Sequence, residues 1–197
     1  MATGRDAAFG FAIWDKVIRQ GLYAVPASTV INVYHQDIVI HGGAHLATAR
    51  GGYLPIIRTS AVPDGVAGLL GSVTAIFDED MDPVKYIAAT EAGDAVVAGY
   101  IMVADSPDQL FVCQDNATIA LASGGMNANI VSQTICAGTA ATGISLQEIN
   151  ATGVAETAAL NLKIVRPHPL DTAAAAYCRY IVQINEHYYG DTMAGIA

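Results

Sequence analysis

Residues 100–115 read Y-I-M-V-A-D-S-P-D-Q-L-F-V-C-Q-D, and the fold follows from how that stretch divides. Two runs rich in β-branched and aromatic side chains, 100–104 and 110–114, flank the turn chemistry of Asp105-Ser106-Pro107-Asp108. Pro107 has no N–H for a ladder and holds its own φ, so it belongs to the connection and to neither strand. The unit is a β-hairpin or a β-corner.

Outward from it the chain keeps the same character. Strand-like runs at 29–34, 37–41, 53–58, 69–77, 84–89 and 95–104 are punctuated by Gly42-Gly43, Gly51-Gly52 and Val62-Pro63-Asp64-Gly65. On this reading Gly42 and Gly43 end the second run. Beyond 115 come strand candidates at 144–149, 158–165 and 177–185; the last two are separated by Arg166-Pro167-His168-Pro169-Leu170-Asp171, which must be a loop. Within 160–165, Leu160, Leu162 and Ile164 alternate with Asn161, Lys163 and Val165, as a half-buried strand requires. Residues 116–143 are rich in Ala, Gly, Asn and Thr and read as a long loop or one weak strand near 130–132. Turn signals roughly 8 to 12 residues apart favour an antiparallel sandwich or barrel over a βαβ fold.

The N-terminal stretch is different. Phe9, Phe11, Ile13, Trp14, Val17, Ile18, Leu22 and Tyr23 bring large apolar groups without a clean period, so 13–20 is a short helix or an extended arm. The expected organisation is an irregular N-terminal arm over 1–35, an all-β body over 36–190 and a C-terminal tail over 191–197.

Hydrophobic residues make up 53% of the 197 and charged ones only 14%, which leaves few charges to cover a free surface; burial against another protein chain is the simplest account, and a surface rich in Ala and Gly gives the same composition. The net charge is −9, with five basic and three acidic residues in 1–60 against four and fifteen in 61–197. An acidic body repels phosphate backbones, which argues against nucleic-acid binding. Cys113, Cys136 and Cys178 are odd in number and lack C-x-x-C spacing, so neither a disulfide framework nor a zinc site is expected. No secretory h-region opens the chain, and the uncharged stretch 116–147 is too polar to span a membrane.

Candidate chemistry is sparse. Asp78, Glu79, Asp80 and Asp82 form an acidic loop that could offer oxygen ligands to Ca²⁺, yet it lacks the EF-hand spacing and its glycine. His35, His41 and His45 are close in sequence, but glycines break any helix that would align them for a metal. There is no G-x-S-x-G elbow. Neither catalysis nor a cofactor is expected.

Taken in order, several stretches resemble a family of small capsid-associated structural proteins of tailed bacteriophages. The likeness runs through Phe9-Gly10-Phe11, Tyr23-x-Val25-Pro26-Ala27-Ser28, Asp37-Ile38-Val39 and Leu70-Gly71-Ser72-Val73. It continues in Ala104-Asp105-x-Pro107-Asp108-x-Leu110-Phe111-Val112-x-Gln114-Asp115, its most distinctive motif, and closes with Gly143-x-Ser145, Leu162-Lys163-Ile164-Val165 and Val182-x-Ile184-Asn185-x-His187. Gln36 stands where the family usually has Gly, and the acidic loop at 78–82 is outside its pattern.

The resemblance implies a virion protein, made in the host cytoplasm, that decorates or cements the outer surface of the major-capsid-protein shell, with an all-β body, an N-terminal arm and a homo-oligomeric, preferably trimeric, state. Phe9, Phe11, Trp14, Ile18, Leu22 and Tyr23 are the residues expected to meet the capsid, provided that the arm docks on a neighbour and does not fold back on its own body. The rival reading is a virion-surface binding module, a head-fibre base or a glycan-binding sandwich, with Tyr177, Tyr188 and Tyr189 as its platform.

Overall fold

The computed structural model describes residues 6–27, 32–47, 53–57, 68–89, 97–120, 123–131, 138–171 and 175–190, and these contain strands and no α-helix. Five strands close a barrel: β2 (Gln20–Pro26), β4 (Ile38–Ala47), β5 (Tyr53–Ile57), β6 (Leu69–Phe77) and β8 (Val97–Ala104), in the order β2-β5-β4-β6-β8. A ring with an odd number of strands cannot alternate direction all the way round. One pair must be parallel, and here it is β2 with β5.

A second, open antiparallel sheet has the order β1-β9-β14-β13-β10, from β1 (Ala12–Ile13), β9 (Leu110–Gln114), β10 (Asn127–Ala128), β13 (Leu162–Pro167) and β14 (Arg179–Ile184). Two short ribbons complete the fold, β3 (Val33–Tyr34) with β7 (Tyr86–Ile87) and β11 (Gly138–Thr139) with β12 (Ile144–Ser145).

Period 2 explains how barrel and sheet share a core. On β4, Ile38 and Ile40 point to one side and pack with Phe111, Leu162, Ile164, Tyr180 and Val182 of the sheet. Val39, between them, joins Tyr23, Val25, Leu70, Val73, Ile101 and Val103 in a separate apolar cluster built from barrel strands. Leu69 and Leu70 divide in the same way. Each such buried side chain contributes roughly 1.5–3 kcal/mol, which is why these strands read as unbroken apolar runs.

The 100–115 unit is a corner. β8 is paired along one edge with β2 and along the other with β6, so no edge is left for β9, which crosses to the open sheet beside β14. The turn between them is tied by Gln109 N–H to Ser106 O (3.0 Å), and Asp105, Ser106 and Gln109 are all buried.

The described residues of 1–35 include strands that pair with the body. β1 is the outer strand of the sheet, β2 is a wall of the barrel, and Phe11 is held by its N–H on Gln36 O and by Ser72 Oγ donating to its carbonyl (2.8 and 2.6 Å). The 13–20 segment is extended and not helical, and Asp15 sits at φ 69°, outside any right-handed helix. Nor do Gly42 and Gly43 end their strand; β4 runs through them, and a register shift between His41 and His45 with Gly43 at φ 75° marks a bulge. Among the described residues of the 116–143 stretch, Asn127 and Ala128 pair with β13 and Gly138 and Thr139 with β12, and Ile130 forms a single bridge to Ile149. The tail 191–197 lies outside the described residues, as do 29–31 of the first strand-like run.

Candidate functional site

The corner at 105–109 assembles a polar and aromatic cluster where barrel meets sheet. Asp105 Oδ2 accepts the Tyr23 hydroxyl at 2.6 Å, and Oδ1 accepts Arg19 Nε at 2.8 Å. Arg19 Nη2 also donates to the Asp105 main-chain oxygen (2.6 Å). The approach depends on Gly21, because a Cβ there would lie 2.7 Å from the Tyr23 ring and 2.8 Å from Asp105 Oδ2. Burial first, and then the bond to Asp105, push the Tyr23 phenol up, so it stays a proton donor; the same carboxylate raises Arg19.

Tyr188 and Tyr189 complete the cluster from the other side. Past β14 the chain is stitched to the start of β6 by Leu69 N–H on Glu186 O (3.0 Å) and Tyr188 N–H on Leu69 O (2.7 Å). This carries Tyr188 onto His41, stacked at 4.1 Å and 11°, and Tyr189 beneath the Arg19 guanidinium at 4.9 Å from its ring centroid. The two tyrosines meet edge to face at 4.9 Å and remain 46% and 47% exposed. His187 Nδ1 accepts the Tyr189 N–H (3.0 Å), and burial holds both the His41 and His187 imidazoles below their ordinary value, toward the neutral form. Beside His187 opens a cleft of about 200 Å³, walled by Pro107, Asp108, Lys163, Gln183 and Gly190. Gln183 Nε2 is committed to Pro107 O at 2.9 Å.

The residues expected to meet a partner are divided by the structure. Phe11 and Tyr23 are consumed by the protein's own core, the former fully buried; Phe9, Trp14 and Leu22 are half-buried; Ile18 alone of the set stands out, 52% exposed. Apolar side chains in a segment that crosses between barrel and sheet find cover there. Val17 is exposed beside Ile18. Their loop is pinned by Gln109, whose Oε1 accepts Ile18 N–H (2.9 Å) and whose Nε2 donates to Lys16 O (3.0 Å). Trp14 packs edge-on against His168 (5.3 Å), and Leu170, whose N–H bonds His168 Nδ1, is 83% exposed. Gln109 and Asp105 escaped the sequence reading as site residues, although Asp105 belongs to its most distinctive motif and Gln109 fills one of that motif's open positions.

In the acidic loop, Asp78 Oδ1 accepts the N–H groups of Asp80 and Asp82 (3.0 and 2.9 Å), so that carboxylate organises its own turn. Among the described residues no group of three or more His, Cys, Asp or Glu is placed to hold a metal ion, and His41 is stacked on Tyr188. No helix among the described residues is long and apolar enough to cross a membrane. Compared with protein-family models, with curated proteins and with solved structures, the chain matches none of them.

Proposed function

We propose that this chain is a non-enzymatic structural protein of a tailed-phage virion that decorates and cements the outer surface of the major-capsid-protein shell. The observation that carries the reading is the exposed pair Val17 and Ile18 on a loop held rigid by Gln109. Two adjacent β-branched side chains in water are unfavourable for the free protein, and a loop already ordered loses little entropy on docking. The ordered series of motifs from Phe9 to His187 supports the same reading, and the net charge of −9 favours a protein partner over nucleic acid. Cementing then works by mass action. A protein that binds the assembled lattice and not free subunits biases the lattice toward staying closed, and a homo-oligomer, preferably a trimer, multiplies weak contacts by avidity.

The test is co-sedimentation of the chain with empty phage shells, followed by heating of shells with and without it. Saturable binding and a raised disruption temperature are expected. Ile18→Asp should weaken binding by about tenfold or more, as removal of an interface anchor does, with the melting temperature of the free protein unchanged. Phe11→Ala should instead unfold the protein. Shell binding by Ile18→Asp equal to the parent would overturn the assignment of this loop, and no binding by the parent would overturn the function.

A further inference from the structure

The pair Tyr188 and Tyr189 is built differently from the ridge at Val17 and Ile18. Each ring is backed on one side before any ligand arrives, Tyr188 by His41 and Tyr189 by the Arg19 guanidinium, and the rings are fixed nearly perpendicular at 82°. About half of each residue still faces solvent. Buried groups hold this arrangement: Asp105 fixes Arg19, and the Tyr23 hydroxyl lies 3.5 Å from that of Tyr189. Exposed aromatics held so firmly are preorganised for a ligand that presents a flat apolar face.

The cleft next to them narrows the class. Its volume of about 200 Å³ is below the range that encloses a nucleotide or a drug-sized molecule and suits a single small ring. Its wall offers an acceptor in the Asp108 carboxylate, a donor in the Lys163 ammonium, and a further acceptor in Gln183 Oε1, since Gln183 Nε2 is bound to Pro107 O. Adjacent hydroxyls, each both donor and acceptor, match such a mixture. Arg19 is paired with Asp105, the cleft wall carries one cation and one anion in Lys163 and Asp108, and the chain as a whole carries −9, so the site does not favour an anion. An extended peptide would need a free strand edge, yet β14, which supplies Gln183, is paired on both sides by β9 and β13.

We propose that Tyr188, Tyr189 and the cleft beside His187 form a binding site for a neutral saccharide, one pyranose laying its C–H face on one of the two tyrosine rings and directing hydroxyls toward Asp108, Lys163 and Gln183. The site shares no side chain with the Val17 and Ile18 ridge, so its success or failure is separable from shell binding.

Saturation-transfer NMR on the full chain tests it, with maltotriose, mannotriose and triacetylchitotriose as neutral probes and sialyllactose as the anionic one. At least one neutral trisaccharide should receive saturation. Tyr189→Ala and Asp108→Ala should each weaken its binding about tenfold or more, Tyr189→Phe should retain it, and Ile18→Asp should leave it unchanged. Asp108 is exposed, so its variant reads the site even where Tyr189→Ala disturbs the fold. Saturation of none of the neutral probes, saturation of sialyllactose alone, or parent-like binding by Asp108→Ala would overturn the proposal.

Discussion

Replacing Asp105 by alanine should destabilise the protein by about 2–4 kcal/mol, and the figure follows from what the carboxylate holds. The bond from the Tyr23 hydroxyl is short (2.6 Å), charge-assisted and buried, which places it at roughly 1.5–3 kcal/mol. The Arg19 side chain is 51% exposed and returns to water when its partner is lost, so that ion pair adds no more than about 1 kcal/mol. For a chain of this size each kcal/mol moves the melting temperature by roughly 2–4 °C, so a fall of roughly 5–15 °C is expected in a calorimetric scan. Tyr23→Phe removes the other end of the bond. In a double-mutant cycle the two substitutions should couple by about 1–2 kcal/mol, because both single variants lose the same interaction. A melting temperature for Asp105→Ala within about 1 °C of the parent, or coupling below about 0.5 kcal/mol, would refute the view that this carboxylate secures the corner.

Burial pushes Asp37 and Glu148 up to about 7 and Asp115 up to about 6, with Asp6 and Asp115 adding to the rise at Glu148. Such groups bind more protons folded than unfolded between about pH 4 and 7, so their contribution falls as pH rises through that window. The buried histidines, held neutral, act in the opposite sense. The signature is therefore a difference: Asp37→Asn should gain stability relative to the parent between about pH 5 and pH 8, measured by urea melts, and a pH-independent difference would count against a protonated Asp37. Gly71→Ala should prevent the barrel from closing, because the new Cβ would lie 1.9 Å from the Ala104 carbonyl oxygen. Gly43→Ala, with φ 75° and no atom within 4 Å, should cost only about 1–2 kcal/mol, and equal melting of the two variants would refute the packing argument.

Much of the local structure was legible. The strands Leu69–Phe77 and Leu110–Gln114 have the bounds that their composition predicts, since β-branched and aromatic runs bounded by turn residues have few other ways to satisfy the backbone. The bulge at Gly43 has the sequence signature of a strand end, because glycine signals a departure from regular geometry without saying whether pairing resumes. Tyr188 and Tyr189 were visible as late aromatics; Arg19, Asp105 and Gln109, which come to them or to the exposed ridge from far along the chain, were not.

The sequence by itself determined that the chain would be all-β, that it would bend at 105–109, and that Phe11 and Tyr23 needed cover. The tertiary structure alone decided that β9 crosses to a second sheet and that the N-terminal segment supplies its own barrel and sheet with strands. The physical reason is the same in both cases. Turn chemistry and side-chain period act between neighbours in sequence, whereas a free strand edge or an uncovered apolar surface exists only once distant segments have paired, and β2 and β6 had already taken both edges of β8.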